Sequence, residues 1–546
     1  MKYVKYTGLL LTIFLFGFVT RTSDIYFEIS KSIDIFGKVY KEVVLNYVDE
    51  INPKEFMIAG IRGMLSSLDP YTVYIDENQQ KDIDLITTGK YGGIGATVGI
   101  KNGKVTIVDL IEGYSAQRQG IRIGDVILKV DSIPINKDNY NKLGTYLKKP
   151  AGSEVVVTVK REGVDDNLIF DLVSEEIEIK NISYYGFVPK NSNNAYIKLS
   201  GFTRSAGYEM KKAVQSLEKE KKVKSIILDL RGNPGGLLDA AVDVAEKFLG
   251  KGKLIVSVIG RDPNRIQKYF SKEVPVAGNA KLAVLIDGGS ASASEILAGS
   301  IQDHDRGVIV GTNSFGKGLV QSVVPLSFNT SLKITTAKYY TPSGRCIQKI
   351  DYSNNEVFVD SSLDKRKSFS TDHNRIVYSN GGIKPDSLVS DETDSEQIKF
   401  LLARGMFFKF ASFYYNTHPN VNLNGIHSEK IFSQFVKYLD KQKLNFTSKA
   451  EKILAELTDV VKTKNYDSNV ISDLKILDEK FQKVKHEEMK RNSAKILNEI
   501  AKELAARING RKGRITESLK YDKQFITAVD ILNNQKEYNR LLALSE

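Results

Sequence analysis

Residues 281–301 read KLAVLIDGGSASASEILAGSI. A run of aliphatic residues leads into Asp287 and a glycine pair, and a second apolar run with helical spacing follows. The stretch reads as strand, glycine turn, helix. Ser290, Ser292 and Ser294 stand at alternate positions around the turn. A serine there lies at a helix start, where backbone N–H groups are unpaired and the dipole is positive. A developing oxyanion is best stabilised in such a place. Local sequence supports a second use as well. Ser292 and Glu295 have the capping-box spacing, and capping is the commoner task of a serine before a helix. Ser290 and Ser294 fit turn and helix positions equally.

The surroundings repeat the same alternation. NAYIKLSGF (194–202) is strand-like, SAGYEMKKAVQSLEKE (205–220) is an amphipathic helix, and KSIILDL (224–230) is a buried-looking strand. It runs into RGNPGG and then the helix LLDAAVDVAEKFL (237–249). LIVSVIG, RGVIVG and SLKITTAKYYTP are further strands, and NGGIKPD (380–386) closes the region. The pattern predicts an α/β core.

A serine nucleophile needs a base. Of the five histidines, His304 lies twelve residues after Ser292. A continuous helix would separate them by roughly 18 Å, at about 1.5 Å per residue. His373, His418, His427 and His486 lie outside clear motifs. Lysine is the other known base, and SFGKGLVQSVVPL (314–326) offers Lys317 in a glycine-flanked turn. In an extended GLVQSVV, positions 317, 319 and 321 share one face, which lets Gln321 orient the amine. A lysine acts as a base near neutral pH only where burial or positive charge disfavours its ammonium form. GTNSFGKG (311–318) also matches the start of a phosphate-binding loop. Gly318 replaces the magnesium-binding Ser or Thr, and a strand follows where a helix would be needed, so nucleotide binding is excluded.

Residues 88–176 change to short β-rich runs punctuated by glycine, proline and asparagine. SAQRQGIRIGDVILKVDSIPI (115–135), with the glycine-rich YGGIGATVGI (91–100) before it, resembles a PDZ domain. Gly92, Gly93, Ile94 and Gly95 then form the expected carboxylate-binding loop. Its glycines allow backbone N–H groups to converge on an anion, and the strand after it can accept a peptide by augmentation.

Residues 25–66 carry apolar residues at helical spacing, broken at Asn52–Pro53, and fit two amphipathic helices that pack on the core or on a second subunit. Residues 387–546 are helical patterns rich in Lys, Glu and Leu, and ISDLKILDEKFQKVKHEEMKRNSAKILNEIAKELAARI reads as one long amphipathic stretch. At the start, Lys2 and Lys5 precede the apolar run Gly8–Val19. Twelve residues fall short of the roughly 20 that span a bilayer and suit the apolar part of an export signal. No small-x-small cleavage site follows, so membrane anchoring stays open.

The net charge of +12 is spread over interleaved Lys and Glu, and the one dense basic stretch is RINGRKGR (507–514). Solvated helix faces account for that pattern, and no nucleic-acid role is expected. The single cysteine, Cys346, excludes an internal disulfide and a Cys-rich zinc site.

Several unlinked motifs now stand in one order: LDPYTVYI (68–75), the PDZ-like region, DLRGNPGGLLDAAVDVAEKFL (229–249), GSASASEILAGSIQDHDR (289–306), GTNSFGKGLVQ (311–321) and TTAKYYTPSGRCIQ (335–348). Together they resemble the carboxyl-terminal processing peptidases, or tail-specific proteases, over roughly residues 30–390. The resemblance implies a Ser–Lys dyad with Ser292 as nucleophile, Lys317 as base and Gln321 in support. It implies oxyanion donors at the backbone of Ala293 and of Gly235 or Gly236, with Asp229 and Arg231 structural. It implies a serine endopeptidase, with no metal or cofactor, that cuts exported proteins near unstructured, apolar C-termini sensed by the PDZ-like domain. The alternative is a non-catalytic peptide-binding protein with an inactive core. The expected organisation is a signal or anchor segment (1–24), N-terminal helices (25–87), PDZ-like domain (88–176), α/β peptidase core (177–390) and helical extension (391–546). Export to the bacterial periplasm is expected, and a homodimer stays open.

Overall fold

A computed structural model describes residues 2–77, 79, 89–101, 103–352, 358–359, 367–390, 394–418, 421–442, 444, 446–464 and 466–544. The chain forms two compact units, one of Met1–Gln80, Gln321–Thr335 and Tyr352–Val357, the other of the remainder.

The first unit holds the helices Lys2–Asn46 and Pro53–Leu65. Asn52 separates them as expected, its side chain accepting from the N–H groups of Lys54 and Glu55. Asp69 of the LDPYTVYI motif accepts from Tyr71 N, Thr72 N and the Thr72 hydroxyl, closing the turn into the strand Val73–Ile75. That strand pairs antiparallel with Ser331–Lys333. Among the described residues no helix is long and apolar enough to cross a membrane.

The core of the second unit is a six-stranded sheet. Its order is Ile182–Phe187, Asn194–Leu199, Ser225–Asp229, Lys281–Ile286, Val308–Gly311 and Ser387–Leu388. The first pair is antiparallel and every later pair is parallel. The central strands are apolar through their middles, with polar residues such as Ser225, Asp229 and Lys281 at their ends, as suits strands buried on both faces. Ile226, Leu228, Leu282, Val284 and Ile309 face the helices Ala206–Glu220, Leu238–Ala245 and Ala293–Asp303. Ile227, Ala283, Leu285, Val308 and Val310 face Phe525, Ala528, Ile531, Leu532 and Tyr538. A multidomain α/β fold is therefore correct. The last two helices, Lys523–Asn533 and Gln535–Leu541, pack on this sheet.

The PDZ-like region is a second sheet in the order Ala96–Lys101, Lys104–Leu110, Val126–Val130, Glu154–Lys160, Asn167–Val173. It has its own apolar cluster, centred on Ile107, Ile127 and Val157. A two-stranded stem, Lys90–Gly93 against Glu175–Glu178, leads into and out of it. A third cluster, built on Phe407, Phe410, Phe435 and Ile500, holds the C-terminal helices together. The long amphipathic stretch breaks in two at Asn492, giving Ser468–Arg491 and Ser493–Leu519. The second helix kinks at Asn509 and Gly510, where Gly510 has a φ of 58°.

Candidate active site

Three neighbouring parallel strands end on the same side of the core sheet. Leu230 N donates to Leu285 O at 3.0 Å and Thr312 N to Ile286 O at 3.1 Å, so the chain leaves them side by side. The loops that follow carry Gly235 and Gly236, then Ser292, then Lys317. The crevice beyond the C-terminal strand ends is where open α/β sheets bind ligands.

The structure separates the three serines. Ser290 Oγ donates to Leu230 O and Ser294 Oγ to Asn233 O, each at 2.9 Å, and both residues are buried. Ser292 is half-buried at the start of the helix Ala293–Asp303, with φ 55° and ψ −112°. Such a backbone costs on the order of 1–3 kcal/mol and persists only where the surroundings hold it.

Glu295 is one of the groups that hold it. Its Oε2 accepts from Ser292 N at 2.8 Å, the returning bond of a capping box. The same Oε2 accepts from Lys317 N at 2.9 Å. Oε1 accepts from Gly316 N at 2.7 Å and from the Ser314 hydroxyl at 2.5 Å. Ser314 is itself fixed as a donor to Glu295, because its oxygen accepts from Ile383 N at 2.6 Å. Glu295 is fully buried. Burial pushes its carboxyl up to about 7, against the pull of its four donors. The buried Tyr339 acts from the carbonyl side, its hydroxyl 2.7 Å from Lys317 O and 3.1 Å from Ser292 O. The peptide groups of Ser292 and Lys317 thus share two buried partners. Gln348 and Lys349 of the TPSGRCIQ segment and its continuation brace the lysine turn, through Gly318 N to Gln348 Oε1 at 2.6 Å and Lys349 N to Gly316 O at 2.9 Å.

The loop after Asp229 closes on the serine. Ala291 N donates to Asn233 O at 3.0 Å, and Asn233 Nδ2 donates to Leu199 O at 2.9 Å. Gly235, with φ 100°, lies so close that a Cβ on it would stand 2.9 Å from Ala293 N and 3.0 Å from Ser292 Cβ. Its N–H is committed to Asn233 Oδ1 at 2.9 Å. The N–H groups of Gly236 and Ala293 have no bonded acceptor among the described residues, which leaves them as the available donors.

Lys317 is half-buried. Gln321 belongs to the first unit, where its Nε2 donates to Thr335 Oγ1 at 3.3 Å. His304 ends the helix that Ser292 begins, and it is held by Asp372 and Leu254 O. Asp229 is fully buried, which would raise its carboxyl, yet the Arg231 guanidinium beside it holds it well below the usual range. Arg231 also reaches Asp522 and Gln524. Burial raises the Cys346 thiol.

In the PDZ-like region the glycines need a correction. Gly92 and Gly93 lie in the stem strand, opposite Glu176 and Glu175, and do not form a nest. Gly92 is required by packing, since a Cβ there would meet Lys149 O at 2.1 Å. Only Gly95 of this group has a left-handed backbone, with φ 79°. The carbonyls of Ile94 and Gly95 are tied to Ala116 N and Ile111 N, which fixes the loop.

Comparison with known proteins identifies the regions of the chain. The model for peptidase family S41 matches residues 193–356, and that for the PDZ domain matches 92–172. The probable PDZ-protease C-terminal helical domain matches 398–532, and the activating protease CtpB N-terminal domain 20–79. A carboxy-terminal-processing protease of Bartonella bacilliformis is 37% identical over 342 residues, 62% of this chain and 78% of that protein. Carboxy-terminal processing protease CtpB of Bacillus subtilis is 31% identical over 337 residues, 61% of this chain and 68% of that protein. A solved structure of a photosystem II D1 C-terminal processing protease is 26% identical, covers 64% of this chain and 85% of that chain, and has a TM-score of 0.36. The fold and these matches define a serine-type peptidase that carries a PDZ domain. The chain belongs to the carboxyl-terminal processing peptidases of family S41.

Proposed function

We propose that the chain cleaves proteins near their C-termini through a Ser292–Lys317 dyad and an acyl-enzyme. The uncharged Lys317 amine takes the Ser292 Oγ proton as the oxygen attacks the scissile carbonyl carbon. The tetrahedral oxyanion forms beside the N–H groups of Ala293 and Gly236. Lys317 returns the proton to the departing amine, and water then releases the acyl group by the same route. The PDZ-like domain captures the substrate's free C-terminus at Ile94–Gly95. The observation that carries this reading is the double tie between the peptide groups of Ser292 and Lys317, through Glu295 Oε2 and the Tyr339 hydroxyl. The two loops, which sequence separates by 25 residues, follow neighbouring strands of the core sheet, and this tie fixes their backbones to one another.

The test is intact-mass analysis of a model protein bearing an unstructured apolar tail. Wild type shortens it, while Ser292→Ala and Lys317→Ala leave it whole with their circular dichroism unchanged. Lys317→Arg also fails, because a guanidinium does not deprotonate in proteins. Cleavage retained by any of the three overturns the dyad. A protein that binds C-terminal peptides and never cuts them supports the non-catalytic alternative. We also propose export, with residues 1–24 as the leader or anchor and the periplasm as destination. N-terminal sequencing of protein recovered from fractionated cells decides it.

A further inference from the structure

Besides Lys101, whose amine lies 6.0 Å from the centre of the Phe408 ring, the C-terminal helices touch the PDZ-like module at three further points. The first lies just beyond the helix kink, where Arg511 Nε donates to Asp109 Oδ2 at 3.0 Å. The second is the GIRIGD turn. Gly124, with φ 105°, sits against the helix Met406–Thr417 so closely that a Cβ would stand 2.4 Å from Ser412 Oγ. Beside it, Arg122 donates to Asn416 Oδ1 at 3.2 Å and its guanidinium lies over the Tyr415 ring. The third is the turn at Glu162. Asn416 Nδ2 donates to Glu162 O at 2.9 Å, and the Tyr438 hydroxyl to Glu162 Oε1 at 3.2 Å.

The receiving surface is braced from within. Arg507 is buried, donates to Ser412 Oγ at 2.7 Å and Phe408 O at 2.8 Å, and lies 4.5 Å from the centre of the Phe408 ring. Burial lowers its guanidinium to about 10, and so leaves it charged at neutral pH. The apolar clusters of the two partners have no residue in common. A cleft of about 1140 Å³, bounded by Tyr114 and Arg122 on one side and by Ile508–Lys512 on the other, lies between them. A contact made of hydrogen bonds, two cation–ring contacts and one half-exposed ion pair, with no shared apolar core, can open and close while both partners stay folded. The two-stranded stem is the module's other tie to the core, and ribbons of that size are marginal by themselves.

We propose that the C-terminal helical domain is a latch that holds the PDZ-like module in one orientation, so that a captured tail is presented and not left to search. This rests on the tail-capture reading above. A fixed receptor spares the substrate the ordering cost of binding. Loss of the latch therefore weakens the use of substrates that engage the module and leaves the chemistry alone. Charge reversal at the Asp109–Arg511 pair is the sharpest probe, because the two side chains can be exchanged.

The experiment uses the full chain with Asp109→Arg, Arg511→Asp and the double exchange. Amide hydrogen exchange around Gly124 and Glu162 and in the helix Met406–Thr417 is the first readout. KM and kcat for the tailed model protein and for a short internal peptide are the second. Each single variant is expected to exchange faster at these segments and to raise KM for the tailed protein about two- to fivefold, the range that loss of a partly exposed ion pair allows. The value of kcat, and KM for the short peptide, should hold, and the double exchange should restore both readouts. Unchanged exchange in the single variants overturns the latch. Faster exchange with an unchanged or lower KM overturns its presenting role. Wild-type protein that fails to cleave the tailed protein at all counts against the peptidase reading, and hydrogen exchange still reports on the latch.

Discussion

At the scale of single residues, Glu295 carries most of the argument. A glutamine in its place keeps one acceptor oxygen and turns an NH₂ toward two of the four donors. Leaving buried donors unpaired costs about 1–3 kcal/mol each, and a displacement of about 1 Å in a catalytic group costs on the order of a hundredfold in rate. Glu295→Gln is therefore expected to lose about two orders of magnitude in kcat while its KM holds. Its pH signature is separate. The folded-state carboxyl titrates at about 7, above its ordinary 4.5. A raised carboxyl contributes stability that is fully present below the unfolded value and lost as pH rises through the folded one. Urea unfolding of the wild type should accordingly show stability falling between pH 5 and pH 8, by on the order of 3 kcal/mol. The slope should be absent in Glu295→Gln, and an equal slope in both would refute the assignment. Sequence revealed half of this residue. The spacing Ser292-x-x-Glu295 encodes a capping box, and its bond from Ser292 N to Glu295 Oε2 is there. Its bonds to Ser314, Gly316 and Lys317 come from a loop 19 to 22 residues on, and no periodicity records such a contact. Tyr339 was hidden for the same reason: its hydroxyl meets the carbonyls of Ser292 and Lys317, which lie 47 and 22 residues away in sequence.

At the scale of elements, the loop Leu230–Gly236 decides whether the helix start can serve chemistry. Strand, turn and helix around Ser292 were all legible, because apolar runs, glycines and a cap residue mark them locally. The pairing of that turn with the RGNPGG loop came only through the family resemblance, since it depends on Ser225–Asp229 and Lys281–Ile286 being neighbours in the sheet. The PDZ-like glycines teach the converse. Gly92 and Gly93 looked like a flexible nest and are strand residues kept small by close packing. Gly235→Ala is the test at this scale. The new Cβ would stand 2.7 Å from Ala291 O and press on Ser292, and φ 100° suits no L-residue with a side chain. Loss of an oxyanion donor costs about 10²–10³ in kcat, and a loop pushed off the nucleophile should cost at least that. Gly232→Ala in the same loop meets no atom within 4 Å and has a φ of 68°. It should lose about 1–2 kcal/mol of stability from backbone strain alone and keep most of its activity. Cleavage rates and urea midpoints of the pair separate contact from strain, and equal kinetic losses would refute the contact.

For the whole molecule, the tail is part of the fold and not an appendage. The 3.6-residue patterns after residue 387 announced amphipathic helices but could not say what their apolar faces cover, because a stripe records only that a partner exists. Much of the answer lies on the far face of the core sheet. Phe525 meets the Tyr196 ring edge-on at 5.6 Å between centroids, and Tyr196 donates its hydroxyl to the buried Asp229 at 2.6 Å. Arg231, read from DLRG as a structural join between strand and loop, also bonds Asp522 at the start of the same helix. The tail thus reaches the strand that leads into the Gly236 loop by an aromatic contact and an ionic one. Emptying a buried phenylalanine site costs about 3–5 kcal/mol, so Phe525→Ala in the full chain should lower the unfolding free energy by about that amount. Asp522→Asn removes a partly exposed ionic partner and leaves the packing in place, so its cost should stay within about 1 kcal/mol. Urea titration followed by tyrosine fluorescence measures both. If the C-terminal helices were a separate body, Phe525→Ala would produce an early transition of the tail alone, with the peptidase core unfolding at its wild-type midpoint. A single transition moved to lower urea is expected, because the sheet cannot keep Ile227, Ala283, Leu285, Val308 and Val310 out of water without that helix.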